Sequence, residues 1–213
     1  EKGDYYLLDT EYALIKAVCD QYENVILIIN AGGAIDMNFT EDFPNIKSIL
    51  YVAQPGQNGG PAIADILLGK VTPSGKLAAT WPLQYNDIPF AEEYSNLNGD
   101  LDYDYYKQGI FVGYRYYEKK EIEPAYPFGF GLSYTTFAMS FVKTDEEKNA
   151  AYVPYNYGKI SVRIQNTGSY AGAEVVQLYI SDPFATLTKP VKELKKFMGM
   201  LFLCIKQKKN LLN

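Results

Sequence analysis

No histidine occurs among the 213 residues, so acid–base chemistry falls to the carboxylates. That absence removes Ser-His-Asp and Cys-His catalysis, and most zinc sites, in one step. What remains in number is Asp and Glu, 25 in all. Two carboxylates about 5–10 Å apart suffice for one reaction class, cleavage of a glycosidic bond. The candidates are Asp36, Asp65, Asp87, Glu92, Glu93, Asp100, Asp102 and Asp104. No spacing marks two of them as a pair, and Asp65 falls on a predicted helix with its side chain toward solvent.

Other chemistries fit the sequence less well. "NGDLDYD" is acidic enough for calcium, yet lacks the glycine placement and closing glutamate of an EF-hand loop. "QPGQNGGPAIADILLG" sets a glycine-rich turn before a helix, a place where phosphate can bind. It carries neither the Lys-Ser/Thr of a P-loop nor a G-x-G-x-x-G spacing, and tight turning with close helix packing explains it equally. Tyr114-Arg115-Tyr116-Tyr117 sets an arginine among rings. Tyr114, Arg115 and Tyr116 are candidate substrate contacts; a packing clamp is the competing reading.

Composition narrows the classes further. Net charge is −5, so no basic surface points to nucleic acid or an anionic membrane. Tyrosine is abundant at 20 residues, useful in sugar clefts, wet interfaces and strand cores alike. Two cysteines, Cys19 and Cys204, make no disulfide framework, which favours a reducing, cytoplasmic setting. No apolar run is long enough to span a bilayer. The first residue is Glu1 rather than Met, so the missing signal peptide carries little weight. Asn38-Phe39-Thr40 fits a glycosylation triplet, a pattern too frequent by chance to weigh.

These side chains need elements to position them. "LDTEYALIKAVCDQY" predicts a helix capped by Asp9, with Leu14, Ile15, Val18, Cys19 and Tyr22 as its apolar stripe. "NVILIIN" and "NIKSILYVAQ" predict strands buried on both faces. A weaker helix fits Asn38 to Phe43 between them. "PAIADILLG" predicts a helix with Pro61 in its first turn and Gly69 as its stop. "KLAATWP" predicts a third short strand. This alternation is α/β layering with a mainly parallel sheet sandwiched by helices.

A polar, aromatic connector follows over residues 83–125, with "IFVGYRYY" as a short strand inside it. After Phe130 the period becomes two. "TFAMSFVK", "KISVRIQNTG" and "AEVVQLYIS" predict antiparallel strands, with Val176, Leu178 and Ile180 of the last on one face. Asn166-Thr167-Gly168 is the turn signal between the second and third. The expected second part is an incomplete all-β, immunoglobulin or fibronectin-III-like sandwich. "KELKKF" starts one more strand, and residues 198–213 read as an aberrant tail. The division is therefore 1–125 for the α/β part and 126–213 for the β part.

Four collinear stretches now carry a resemblance. "VILIINAGGAIDM", "QPGQNGGPAIADILLGKVTPSGKLAATWP", "GIFVGYRYY" and "YPFGFGLSYTTF" resemble, in order and spacing, the second domain of glycoside hydrolase family 3, the β-glucosidase family, and its junction with the third. "KGDYYLLDTEYALIKAV" is most similar to circularly permuted bacterial members. The resemblance implies a retaining hydrolase of β-glucosides and related glycosides, with no metal or cofactor. It implies a (β/α)₈ barrel with the nucleophilic aspartate, an α/β domain whose loop supplies the acid/base glutamate, and a fibronectin-III-like buttress.

This chain departs from that pattern in three places. The barrel is missing, and the glutamate's Gly-Glu-Gly-like loop lies upstream of Glu1, so no catalytic residue is assigned. "KELKKFMGMLFLC" replaces the family's continuation, which reads as a shifted frame or a truncated gene. Gln108 stands where an acidic residue is usual. The expectation is an inactive piece of a hydrolase that needs its barrel. The rival reading is a non-catalytic carbohydrate- or partner-binding module, and a nucleotide-binding domain ranks behind both.

Overall fold

A computed structural model describes residues 5–93, 99–142, 161–184 and 186–202. The chain divides into two compact units. The first holds Glu1–Ala64, Lys76–Phe130 and Leu178–Lys196; the second holds Asp65–Gly75, Gly131–Gln177 and Phe197–Asn213. The loop read at residues 144–158, the strand start at Lys159–Ile160 and the tail beyond Phe202 lie outside the described residues.

In the first unit, helix α1 spans Asp9–Cys19 and strands β1 and β2 span Val25–Ile29 and Ile46–Tyr51. The strands pair in parallel, Leu27 opposite Ile49 and Ile29 opposite Tyr51. A 3₁₀ helix, Asn38–Asp42, lies between them, where the weaker helix was expected. The helix cap differs from expectation. Leu8 is the N-cap and Asp9 the first helical residue, while Glu11 Oε2 reaches back to accept from the Leu8 N–H at 2.8 Å. A Glu three residues past the cap takes that amide, so an acidic cap is not required.

The core is built from Ile29, Met37, Phe39, Phe43 and Trp81, with Ile15, Cys19, Leu27 and Tyr126 packed against it. Two expectations fail here. The apolar stripe of α1 is narrower than predicted, since Leu14 and Tyr22 are exposed while Ile15 and Cys19 meet the core. An i, i+4 pair is as much of a helix surface as one contact line needs. Nor is β1 buried on both faces. Leu27 and Ile29 turn to the core, and Ile26 and Ile28, on the opposite pleat, remain 53% and 41% exposed.

Helix α2, Gly59–Leu67, ends as its sequence requires. Gly69 takes φ +69°, which a residue with a Cβ adopts at a cost, and its N–H bonds the Ile66 carbonyl at 2.9 Å. At its other end, a Cβ on Gly59 would fall 2.5 Å from Pro55 Cγ. The glycine-rich turn therefore has a steric reason of its own.

The predicted third strand at 76–82 does not form a ladder. It is tied at two points instead: Leu77 exchanges hydrogen bonds with Gly129 and Phe130, and Trp81 forms a bridge with Tyr126. The partner stretch explains this. Pro127 has no N–H to give, and Gly129 sits at φ +83°, so a regular ladder cannot pass through it. The strand predicted at "IFVGYRYY" is also corrected. Residues Tyr114–Lys120 form helix α3, with Gly113 as N-cap, Glu121 in the left-handed region as C-cap, and Lys119 and Lys120 in the last turn. Good helix formers at 118–120 and lysines at the negative end of the dipole outweigh the strand preference of three tyrosines.

In the second unit, β3 (Phe137–Phe141) and β4 (Val162–Asn166) pair antiparallel, Met139 opposite Ile164. Exposure alternates along β4, as its period-two pattern predicted. The turn at Asn166 forms as expected: its Oδ1 accepts from Thr135 Oγ1 at 2.6 Å and from the Gly168 N–H at 3.1 Å. A further two-stranded sheet, assigned to neither unit alone, pairs β5 (Gly172–Ile180) with β6 (Glu193–Phe202). Alternation is lost along β5, where Val176 and Leu178 are half-buried like their neighbours and Ile180 is exposed. Strand β6 runs on through Met198–Phe202, because ladder hydrogen bonds use backbone alone and need no alternating pattern. The α/β part followed by β-sheets is the fold class that the sequence predicted.

Candidate functional site

The tyrosine–arginine cluster sits on α3. Tyr114 is clasped from three sides. Its hydroxyl accepts from the Leu194 N–H at 2.7 Å, and its ring meets Phe128 at 5.4 Å and Tyr179 at 5.6 Å. Arg115 lies 3.9 Å from Glu193 and places its guanidinium 5.9 Å from the Tyr114 ring centre. One turn on, Glu118 meets Lys192 at 2.6 Å, and that ammonium also lies over the Tyr179 ring. Lys195 donates to Glu193 and holds its carboxyl below the usual range, with Arg115 helping. Tyr116 does not join this cluster; its ring stands edge-on to Tyr117 at 6.0 Å. Tyr117 is the buried residue of the helix, and burial pushes its phenol far up.

The candidate carboxylates do not converge as a set. Asp65 pairs with Lys70 at 3.1 Å and Glu93 with Lys107. Asp87 accepts from the Gln84 N–H, and Asp100 from the amides of Asp102 and Tyr103. Each of these four serves its own loop or helix end. Among the described residues no group of three or more Cys, Asp or Glu is arranged to hold a metal ion.

Asp36 is different, because it opens onto a groove. Two adjoining hollows share Tyr6, Asp36 and Asn38 in their walls. One, about 290 Å³, continues to Gln84, Tyr85 and Asn86; the other, about 700 Å³, continues to Asp9, Tyr12, Phe39 and Asp42. Three separate segments are tied together around it. The Asp36 N–H donates to the Tyr5 carbonyl at 2.7 Å, Tyr5 Oη to the Pro82 carbonyl at 3.3 Å, and Asn38 Nδ2 to the Leu83 carbonyl at 2.8 Å. Asn38 also donates to Asp36 Oδ1, from both its backbone and its side chain. Tyr12 donates to Asp42 Oδ2 at 3.0 Å, which raises the pKa of the phenol. Burial, with the charges of Asp36 and Asp87 behind it, pushes the Tyr5 phenol up to about 12. Of the sequence candidates only Asp36 lines this groove. Tyr6, Tyr12, Asn38, Asp42 and Tyr85 carry no local signature, and only long-range contacts assemble them.

Comparison with known proteins places the chain. Residues 1–134 match the glycosyl hydrolase family 3 C-terminal domain, and residues 174–202 match the fibronectin type III-like domain. Thermostable β-glucosidase B of Acetivibrio thermocellus is 40% identical over 189 residues, which cover 89% of this chain and 24% of that protein. β-Glucosidase BoGH3A of Bacteroides ovatus is 39% identical over 92% of this chain and 26% of its own length. The structure of β-glucosidase 3B from Thermotoga neapolitana, seen in complexes with glycerol and with glucose, superposes with a TM-score of 0.81 at 38% identity, over 96% of this chain and 28% of that one. The chain thus spans about a quarter of the length of these relatives. By sequence model, by sequence relatives and by fold alike, it belongs to glycosyl hydrolase family 3 and corresponds to that family's C-terminal region.

Proposed function

We propose that this chain is the C-terminal part of a retaining β-glucosidase and that its chemistry is completed by a (β/α)₈ barrel outside these 213 residues. The observation that carries this is collinearity: one continuous match at about 40% identity runs through both units into relatives four times as long. In that reaction a carboxylate nucleophile forms a glycosyl-enzyme while a second carboxyl protonates the leaving oxygen, then activates water. In this reading the nucleophile belongs to the barrel, so the chain alone is expected to be inactive.

Tyr114 and Arg115 act in this reading as packing groups that hold α3 against residues 179–194, since their polar atoms are already engaged by Leu194 and Glu193. Tyr116 keeps the place of a substrate-side candidate. Among the described residues no helix is long and apolar enough to cross a membrane. The reading retains a cytoplasmic location, on two cysteines that make no disulfide framework, and requires no cofactor.

The test is turnover. The purified chain is assayed with a chromogenic β-glucoside, alone and mixed with the barrel-bearing part of a family relative. No release by the chain alone and release by the mixture are expected. Turnover by the chain alone, surviving repurification, overturns the proposal.

A further inference from the structure

We propose that the C-terminal half of β6, Phe197–Leu201, is a self-pairing edge on which two copies of this chain join as an antiparallel, two-fold dimer.

An open edge is the first observation. Among the described residues β5 and β6 form a sheet of two strands, so β6 has β5 on one side and an unpaired row of N–H and C=O groups on the other. Both faces of the strand are bare as well. Phe197 is 69%, Met198 52% and Met200 43% exposed, although neighbours on a strand point to opposite sides. Phe197–Phe202 carries no charge and no proline, the devices that ordinarily blunt an edge. A sheet of two strands is marginal in water, whereas three or more with an apolar face stand on their own. Two copies paired edge to edge make four.

The residue order selects a second copy as the occupant. Phe197-Met198-Gly199-Met200-Leu201 reads as large apolar, Met, Gly, Met, large apolar from either end. Antiparallel pairing about Gly199 therefore sets Met198 against Met200 of the second copy, Phe197 against its Leu201, and glycine against glycine. Like meets like at each position, the self-complementarity that a two-fold interface demands. Methionine is unbranched and adapts to its opposite number across such a pair. At the centre, no atom lies within 4 Å of where a Cβ on Gly199 would be, so that side of the axis is open.

Charge fixes direction and register. Lys195 and Lys196 precede the apolar run. Parallel, in-register pairing would set each lysine beside its own copy. An antiparallel slip that centres the axis on Lys196 would set Lys196 against Lys196. Like charges directly opposite destabilise a sheet. Centred on Gly199, the lysines of the two copies stand at opposite ends of the pairing.

The experiment follows the full chain by sedimentation velocity across the micromolar range. A concentration-dependent equilibrium between monomer and dimer is expected. Met198→Lys puts a charge at an exposed position and sets it against Met200 of the second copy, so it should weaken the dimer by at least about tenfold, with an unchanged circular dichroism spectrum. Cross-linking reads the register. Gly199 lies outside the left-handed region and has room for a side chain, so Gly199→Cys is accommodated. In a Cys204→Ser background, Gly199→Cys should give a disulfide-linked dimer on mild oxidation, since facing residues lie about 4.5–5.5 Å apart at Cα. Lys195→Cys should not, because its two copies lie roughly 27 Å apart at about 3.4 Å per residue. A monomer at every concentration, a dimer indifferent to Met198→Lys, equal cross-linking at 195 and 199, or fibres that grow without limit each overturn the proposal. So does a parent that stays monomeric and takes up the barrel-bearing part of a family relative in a way that Met198→Lys abolishes, because the occupant of the strand is then another part of the enzyme.

Discussion

Trp81 and Tyr126 face each other across an isolated bridge, each backbone donating to the other at 2.8 and 3.4 Å, with their rings edge-on at 6.1 Å. The bridge joins the end of the "KLAATW" stretch to the first ring of "YPFGFG". Trp81 also meets Tyr51 of β2 at 5.0 Å, so one indole links the parallel sheet to the aromatic segment.

Removing that indole should be costly. Trp81 is 4% exposed and stands in the main core cluster. Trp81→Ala is expected to destabilise the chain by about 3–5 kcal/mol through lost burial and the cavity left behind. Urea unfolding followed by circular dichroism checks it. A loss under about 1 kcal/mol would mean that the site collapses or that Trp81 is not a core residue.

Tyr114→Phe removes an acceptor shared by the Leu194 N–H at 2.7 Å and by Arg115 Nε at 3.5 Å. The ring contacts with Phe128 and Tyr179 survive, while the Leu194 N–H loses its acceptor. The expected cost is about 1 kcal/mol, with faster hydrogen exchange at the Leu194 amide. Unchanged exchange there would show that this bond does not hold β6 to α3.

Close approach explains a glycine in the second unit. A Cβ on Gly168 would lie 2.3 Å from Thr135 Oγ1 and 2.9 Å from the Thr136 nitrogen. Backbone cannot yield as a flexible side chain does, so Gly168→Ala should cost about 1–3 kcal/mol. Gly33→Ala meets nothing within 4 Å and serves as the control, expected to stay within about 0.5 kcal/mol of the parent. Equal melting temperatures for the two variants would contradict the packing described.

High pH should destabilise the first unit through Tyr5. The Tyr5 phenol is raised to about 12 in the folded chain, against about 10 when unfolded. A raised folded value means the stabilisation is whole below about pH 10 and is lost as pH climbs toward 12. Stability measured by urea midpoint should therefore fall across that window, and less steeply in Tyr5→Phe. Parallel curves for parent and variant would remove Tyr5 as a cause.

Much of the molecule was legible along the chain. β1, β2 and α2 follow from apolar runs, a proline and Gly69, and the Asn166 turn from its residue type, because such signals act through hydrogen bonds a few residues apart. The family was legible for a related reason. Glycines and rings such as those of "YPFGFG" answer steric demands that admit few other residues. Tertiary structure decided the rest. It turned "YRYYEKK" into a helix, left Ile26 and Ile28 outside the core, and replaced the third strand by two ties to a segment whose Pro127 and Gly129 cannot form a ladder. It also gathered Tyr6, Asp36 and Tyr85 around one groove. No local pattern records that meeting, since side chains far apart in sequence converge only when the backbone between them has packed.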